Sequence, residues 1–209
     1  MPARKKTPAR SQPSSRKPAS RVPDAIALLK ADHALVDDLF KKYEKARGDE
    51  RKAALAAQIC NELKVHTRIE EEIFYPAARG VLRDEDLLDE ATVEHQGAKD
   101  LIAQIESGKP GDELYDAKVK VLGEYIKHHV KEEHEEMFPQ VRKTKLDLKA
   151  LGERMQARKT ELKAGGSGRS GAGGLQGSGR RSGANRSEKP AESEGFMSAI
   201  SRELGLRKS

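Results

Sequence analysis

From Asp24 onward an apolar residue recurs every three or four positions, the spacing that gathers side chains on one face of an α-helix. Ile26, Leu29, His33, Val36, Phe40 and Tyr43 make the first stripe, opened by Asp24 as a candidate N-cap and closed near Gly48. A second follows Asp49, another candidate cap: Leu55 or Ala56, Ile59, Leu63, His66, Glu70, Ile73, Ala77. Asp84 opens a third, with Leu88, Ala91, His95, Ala98, Ile102 and Ile105, and Ser107-Gly108-Lys109-Pro110-Gly111 ends it. Asp112 opens a fourth, with Val119, Leu122, Ile126, His129, Glu133 and Met137. Pro76 and Pro139 are expected to end or kink the second and fourth helices, since proline lacks a donor and clashes with the preceding turn. Leu148, Leu151 and Met155 predict a fifth amphipathic helix within residues 143–163, packed less deeply than the others.

Polar residues interrupt these stripes in a repeated way. His66 and His129 are each followed four residues later by a glutamate, Glu70 and Glu133, and ten residues later by a proline preceded by an aromatic residue. His33 and His95 stand alone, each preceded by an acid, Asp32 and Glu94. From His33 to His66 is 33 residues and from His95 to His129 is 34, so the chain reads as two helical hairpins of one pattern. Two such hairpins pack as an antiparallel four-helix bundle. The predicted fold is therefore all-α: a four-helix bundle of two pseudo-repeated hairpins, an additional C-terminal helix and disordered arms.

A buried carboxylate without a partner is strongly disfavoured, so glutamates on core-facing stripes need a cause. Four histidines and two glutamates on the core faces of four helices can converge on metal. The mixed nitrogen and oxygen set suits iron, manganese or zinc rather than Mg²⁺ or Ca²⁺. Six donors, with two carboxylates able to bridge, favour a dinuclear centre, most naturally iron. His128 and His134 are expected to face outward or flank the site. Glu71 or Glu132 could orient a ligand histidine, while Glu72, Glu135 and Glu136 belong to a solvated face. Tyr43, Phe74, Tyr75 and Phe138 read first as core or cap residues, any of which could wall a small-molecule pocket. Cys60 reads as small-residue packing.

Composition bounds the rest. Residues 1–23 hold seven basic residues and no acid, and residues 164–209 hold eight basic and four acidic, out of 40 basic and 34 acidic in the 209-residue chain. The middle, 24–163, thus carries 25 basic and 30 acidic residues, and the formal charge of +6 belongs to the arms. Residues 1–23 are expected to be a disordered basic arm and 164–209 a Gly/Ser/Arg-rich linker and tail, with Phe196, Ile200 and Leu204 spaced as one short helical face. The single cysteine excludes an internal disulfide. Without a long apolar run or an apolar leader, the expectation is a soluble, cytoplasmic monomer without membrane contact.

The combination of a lone His, His-x3-Glu, Glu-His, and His-His-x3-Glu followed by Met-Phe-Pro resembles the hemerythrin family in its HHE cation-binding branch. The likeness spans about residues 24–163. It implies a four-helix bundle with a non-haem di-iron centre whose ligands are His33, His66, Glu70, His95, His129 and Glu133, with the two glutamates bridging. Oxygen-carrying members have a further histidine one turn from the residue matched by His95, where this chain has Ala91 and Lys99. One ligand fewer implies a more open, reactive centre. The resemblance implies sensing or handling of oxygen, nitric oxide, peroxide or iron, with a small diatomic ligand or peroxide as partner, and a di-iron peroxidase or oxidase as the enzymatic version. The basic arms support a different reading, a nucleic-acid-associated stress protein with a structural bundle.

Overall fold

The computed structural model describes residues 22–82 and 85–166, and every regular element among them is helical. Helix α1 spans Ala25–Lys45 and α2 spans Asp49–Ile69. A π-turn, Glu70–Phe74, joins α2 to the short α3, Tyr75–Arg79. Helix α4 covers Asp86–Glu106 and α5 covers Tyr115–Glu132; a second π-turn, Glu133–Met137, leads into α6, Phe138–Arg142. Helix α7, Leu148–Gly166, follows. The pairs α1 with α2 and α4 with α5 are the two hairpins, α2 packs on α4 and α1 on α5, and α7 lies across α1 and α2. Among the described residues no helix is long and apolar enough to cross a membrane. Of the expected basic arm only residues 22 and 23 are described, and of the expected Gly-rich linker only residues 164–166, which continue α7 instead of beginning a linker; Asp84, the rest of both arms and the Phe196, Ile200 and Leu204 segment lie outside the described residues.

Local chemistry explains where the helices begin. Asp24 caps α1, its Oδ1 accepting from the Ala27 N–H at 2.8 Å. Asp49 is not the cap of α2: Gly48 is, at φ 79°, and Asp49 is the first helical residue. Asp112 does not start the fourth helix either. Positive φ at Gly111 (91°) and Leu114 (64°) delays α5 to Tyr115, and the Asp112 carboxylate instead accepts from the Lys109 N–H at 2.9 Å.

The prolines do not end their helices. Each lies at the start of a short helix that continues past a π-turn, in which the Tyr75 N–H bonds Glu70 O and the Phe138 N–H bonds Glu133 O, five residues back. Widening the ladder just before proline accommodates the missing N–H and the ring. It also shifts the phase by one residue, so Phe74, Tyr75 and Ala78 are buried where an unbroken 3.6-residue period put Ile73 and Ala77.

The core lies on both sides of the histidine level. On one side Ile26, Leu29, Phe74, Leu88, Phe138 and Met155 pack together, all under 2 % exposed. Helix α7 closes that end and is more deeply engaged than its weak amphipathic pattern implied, with Leu151 at 3 % and Met155 at 0 % exposure. Gly152 makes this approach possible, because a Cβ there would come within 2.7 Å of Ala25 N. Toward the other end Leu63, Ile102 and Leu122 fill the seam.

Candidate metal centre

The α-helical stretch of α2 sets the His66 imidazole beside the Glu70 carboxylate one turn on, with Nε2 to Oε2 at 3.1 Å. The corresponding pair on α5 is looser, His129 Nε2 to Glu133 Oε2 at 3.8 Å. His33 from α1 and His95 from α4 enter between them. His33 Nε2 lies 3.0 Å from His66 Nε2, and His95 Nε2 lies 3.2 Å from His129 Nε2. Glu70 and Glu133 are 0 % and 1 % exposed and the four histidines at most 6 %.

Three of the four outer nitrogens are hydrogen-bonded by residues from other helices and the fourth faces a carboxylate, which turns Nε2 inward. His129 Nδ1 donates to Glu94 Oε2 at 2.8 Å and His95 Nδ1 to Glu71 Oε1 at 3.1 Å. His66 Nδ1 faces Asp32 Oδ2 at 3.6 Å, and His33 Nδ1 lies 2.9 Å from His134 Nε2. Such outer partners fix the tautomer and orientation of a ligand imidazole. Asp32 is itself paired with Lys159 of α7, and Glu71 with Lys99 at 2.6 and 2.7 Å.

The donors fall into two groups, His33, His66, Glu70 and Glu133, and Glu70, His95 and His129, with Glu70 common to both. Within each group the donor atoms lie within 4.8 Å of one another. Two donors held at about 2.1 Å from one ion at a right angle are roughly 3.0 Å apart, the spacing of the facing imidazole nitrogens. Both Glu70 oxygens, Glu133 Oε2 and His66 Nδ1 are buried and make no hydrogen bond. Buried carboxylate oxygens are normally satisfied. Inward-facing imidazoles around oxygens that make no hydrogen bond are the chemistry of a cation site, so these residues fit metal ions.

Without a cation the cluster is held by internal ion pairs. Burial opposes charge on His66, but the Glu70 carboxylate outweighs it and raises the imidazole to about 10. Burial likewise opposes charge on His95, while the Glu70 carboxylate 3.3 Å from its Nε2 and the hydrogen bond to Glu71 raise it to about 9. Burial dominates at His33 and lowers it. Burial pushes the Glu70 carboxyl up, yet the His66 charge carries it well below the ordinary carboxylate range. The Tyr75 phenol is pushed far up by burial and by Glu133, so its hydroxyl stays a donor; it donates to Glu133 Oε1 at 3.2 Å and lies 3.2 Å from His95 Nε2.

All six residues expected from the sequence are thus brought together. Glu71 orients a core histidine as anticipated, whereas Glu132 does not: it pairs with the exposed His128 at 3.1 Å. His134 flanks the site through His33. Tyr75 and Phe138 form its walls: the Tyr75 ring lies over His95 and the Phe138 ring is stacked on His33 at 6.0 Å. Each is the fifth residue after a core glutamate, a position that a π-turn, and not an α-turn, returns to the same face. Asp32 and Glu94 had only one sequence signal, an acid before each lone histidine. Lys159 had none, since its partner lies 127 residues away.

Residues 24–141 match the hemerythrin HHE cation binding domain. The chain is 26 % identical over 115 residues to a DNA nickase from Nostoc sp. (strain PCC 7120 / SAG 25.82 / UTEX 2576), a match covering 55 % of this chain and 32 % of that protein. Among solved structures, a hemerythrin HHE cation binding domain-containing protein from Mycobacterium kansasii, a homolog of Rv2633c, is similar with a TM-score of 0.60 and 26 % identity. That likeness covers 68 % of this chain and 89 % of the other. A family match over more than half the chain, on a helical bundle whose core gathers metal-capable histidines and glutamates, means that this protein belongs to the hemerythrin HHE cation-binding family.

Proposed function

We propose that the bundle holds a non-haem di-iron centre ligated by His33, His66, Glu70, His95, His129 and Glu133, and that the protein senses or handles oxygen, nitric oxide, peroxide or iron. The observation that carries this reading is the sharing of Glu70 between two buried donor groups. A carboxylate common to two groups would serve both of two bound ions, and four imidazoles with two carboxylates would suit iron better than an all-oxygen or thiolate-preferring metal. Bound iron would supply affinity for a diatomic ligand or peroxide and the electrons for its reduction. The chain's own contribution is containment. Tyr75 presents a hydroxyl donor beside His95 and Glu133, the Phe138 ring covers His33, and the apolar layers exclude water from this side of the core. The outer carboxylates of Asp32, Glu71 and Glu94 keep the imidazoles in place as the charge at the core changes.

Metal analysis and an optical spectrum on the full chain grown in iron, beside a His66→Ala/His129→Ala variant, test this. Two irons per chain with near-ultraviolet absorption, both lost in the variant, are expected. A folded wild type that takes up no iron overturns the reading.

A second reading has two supports: the seven basic residues, with no acid among them, in 1–23 and the similarity to a protein named a DNA nickase. The chain spans 32 % of that protein's length, so nicking would require that this part carry the activity. Salt-dependent DNA binding lost on removing residues 1–23, and iron-dependent nicking of supercoiled DNA lost in Glu70→Ala, would establish it. Intact supercoiled DNA after incubation with iron-loaded protein rejects the nicking.

A further inference from the structure

The second hairpin carries another histidine and glutamate pair that the buried centre does not use. His128 and Glu132 repeat the spacing of His129 and Glu133 one position earlier, which turns the pair about 100° around α5 and out of the core seam. There His128 Nε2 lies 3.1 Å from Glu132 Oε1 and 3.8 Å from Glu94 Oε1 of α4. One donor atom from each residue lies within 4.8 Å of the other two. Ligands bound at about 2.1 Å to one ion are separated by roughly 3.0 Å at an octahedral right angle and roughly 3.4 Å at a tetrahedral angle, so small rotamer changes close this group around a cation.

Glu94 distinguishes the group from a solvated acidic patch. Its side chain is 9 % exposed, and its two oxygens face opposite ways: Oε2 accepts from His129 Nδ1 at 2.8 Å while Oε1 faces His128. The three side chains form a gradient from solvent inward, His128 at 51 %, Glu132 at 31 % and Glu94 at 9 % exposure.

The first hairpin serves as an internal control. The positions matching His128 and Glu132, one before His66 and one before Glu70, are Val65 and Ile69. There Asp32, the counterpart of Glu94, is met by the Lys159 ammonium of α7. One half of the duplication therefore supplies a built-in cation behind the core histidine. The other half supplies donors spaced for one.

We propose that Glu94, His128 and Glu132 form an outer site for a divalent first-row metal ion such as Fe²⁺, Mn²⁺ or Zn²⁺, and that through Glu94 it feeds the buried centre. One imidazole and two carboxylates leave positions for water, which makes the outer ion exchangeable. The feeding role rests on the di-iron reading; the site itself does not.

The test is a Mn²⁺ titration of the full chain after iron loading and removal of excess metal, with free Mn²⁺ read from its solution EPR signal. The wild type is expected to bind one further Mn²⁺ per chain at least tenfold more tightly than His128→Ala or Glu132→Gln. The initial rate of Fe²⁺ uptake by metal-free protein should fall at least threefold in both variants, with the final iron content unchanged. Equal Mn²⁺ affinities in the three proteins, or no Mn²⁺ bound by the wild type, overturn the outer site. An unaltered uptake rate overturns its feeding role. A chain that takes up no iron overturns the buried centre alone, because the Mn²⁺ comparison is then made on the iron-free proteins.

Discussion

Replacing Glu70 by Gln keeps the side chain's size in a fully buried position and removes the charge common to both donor groups. In metal-free protein that charge is the largest influence raising His66 to about 10 against the burial that lowers it, and the same carboxylate, 3.3 Å from His95 Nε2, acts first in raising His95 to about 9 against burial. Both ordinary values are 6.5, so between about pH 7 and 9 the folded state holds protons that the unfolded chain has released. Stability from these groups is fully present below pH 6.5 and is lost as pH rises through 9 to 10. Each extra proton corresponds to a slope of about 1.4 kcal/mol per pH unit. On the acid side Glu70, held well below 4.5, contributes stability that is lost as pH falls through its folded value. Urea denaturation of chelator-treated wild type at pH 6, 7, 8 and 9 should therefore show stability falling with pH. In Glu70→Gln the imidazoles shed their protons and that slope should drop by at least half. The variant's deficit should be largest at pH 6, on the order of the 3–5 kcal/mol for breaking a buried pair, and shrink toward pH 9. Parallel pH profiles for the two proteins would refute the reasoning.

The other consequences concern the shell, the wall and the cover of the centre. Glu94→Gln weakens the hold on His129 Nδ1 and should lower metal affinity by roughly 10- to 100-fold in a competition assay with a chelator, with Asp32→Asn acting in the same direction on His66. Tyr75→Phe deletes the hydroxyl bonded to Glu133 and should cost about 1 kcal/mol in metal-free urea unfolding while altering the optical spectrum of iron-loaded protein. Gly152→Ala forces a methyl group against the backbone entering α1 and should destabilise the fold by roughly 1–3 kcal/mol, with hydrogen exchange accelerated first in α7. Metal at 100 times its dissociation constant should add about 2.7 kcal/mol to unfolding, seen as a rise in Tm that chelator reverses.

Helix positions, the duplication and the six core donors were legible in the sequence because each depends on spacing along one strand of chain. A histidine and glutamate four apart share a helix face in any fold, and a polar pair on an apolar stripe signals a burial that needs compensation. Even the resemblance to the cation-binding family stands on such local spacings. The phase beyond Glu70 and Glu133 was not legible, since the π-turns come from accommodating Pro76 and Pro139 within a continuing, packed helix, and they alone bring Tyr75 and Phe138 to the site. Nor could spacing assign Glu70, rather than both glutamates equally, to the two donor groups; that depends on how far each hairpin leans toward the other. The outer partners Asp32, Glu71, Glu94 and His134 all reach across to a histidine on another helix, and Lys159 reaches Asp32 from the fifth. Those contacts exist only once side chains distant in sequence are packed at one level of the bundle, so tertiary structure decided them.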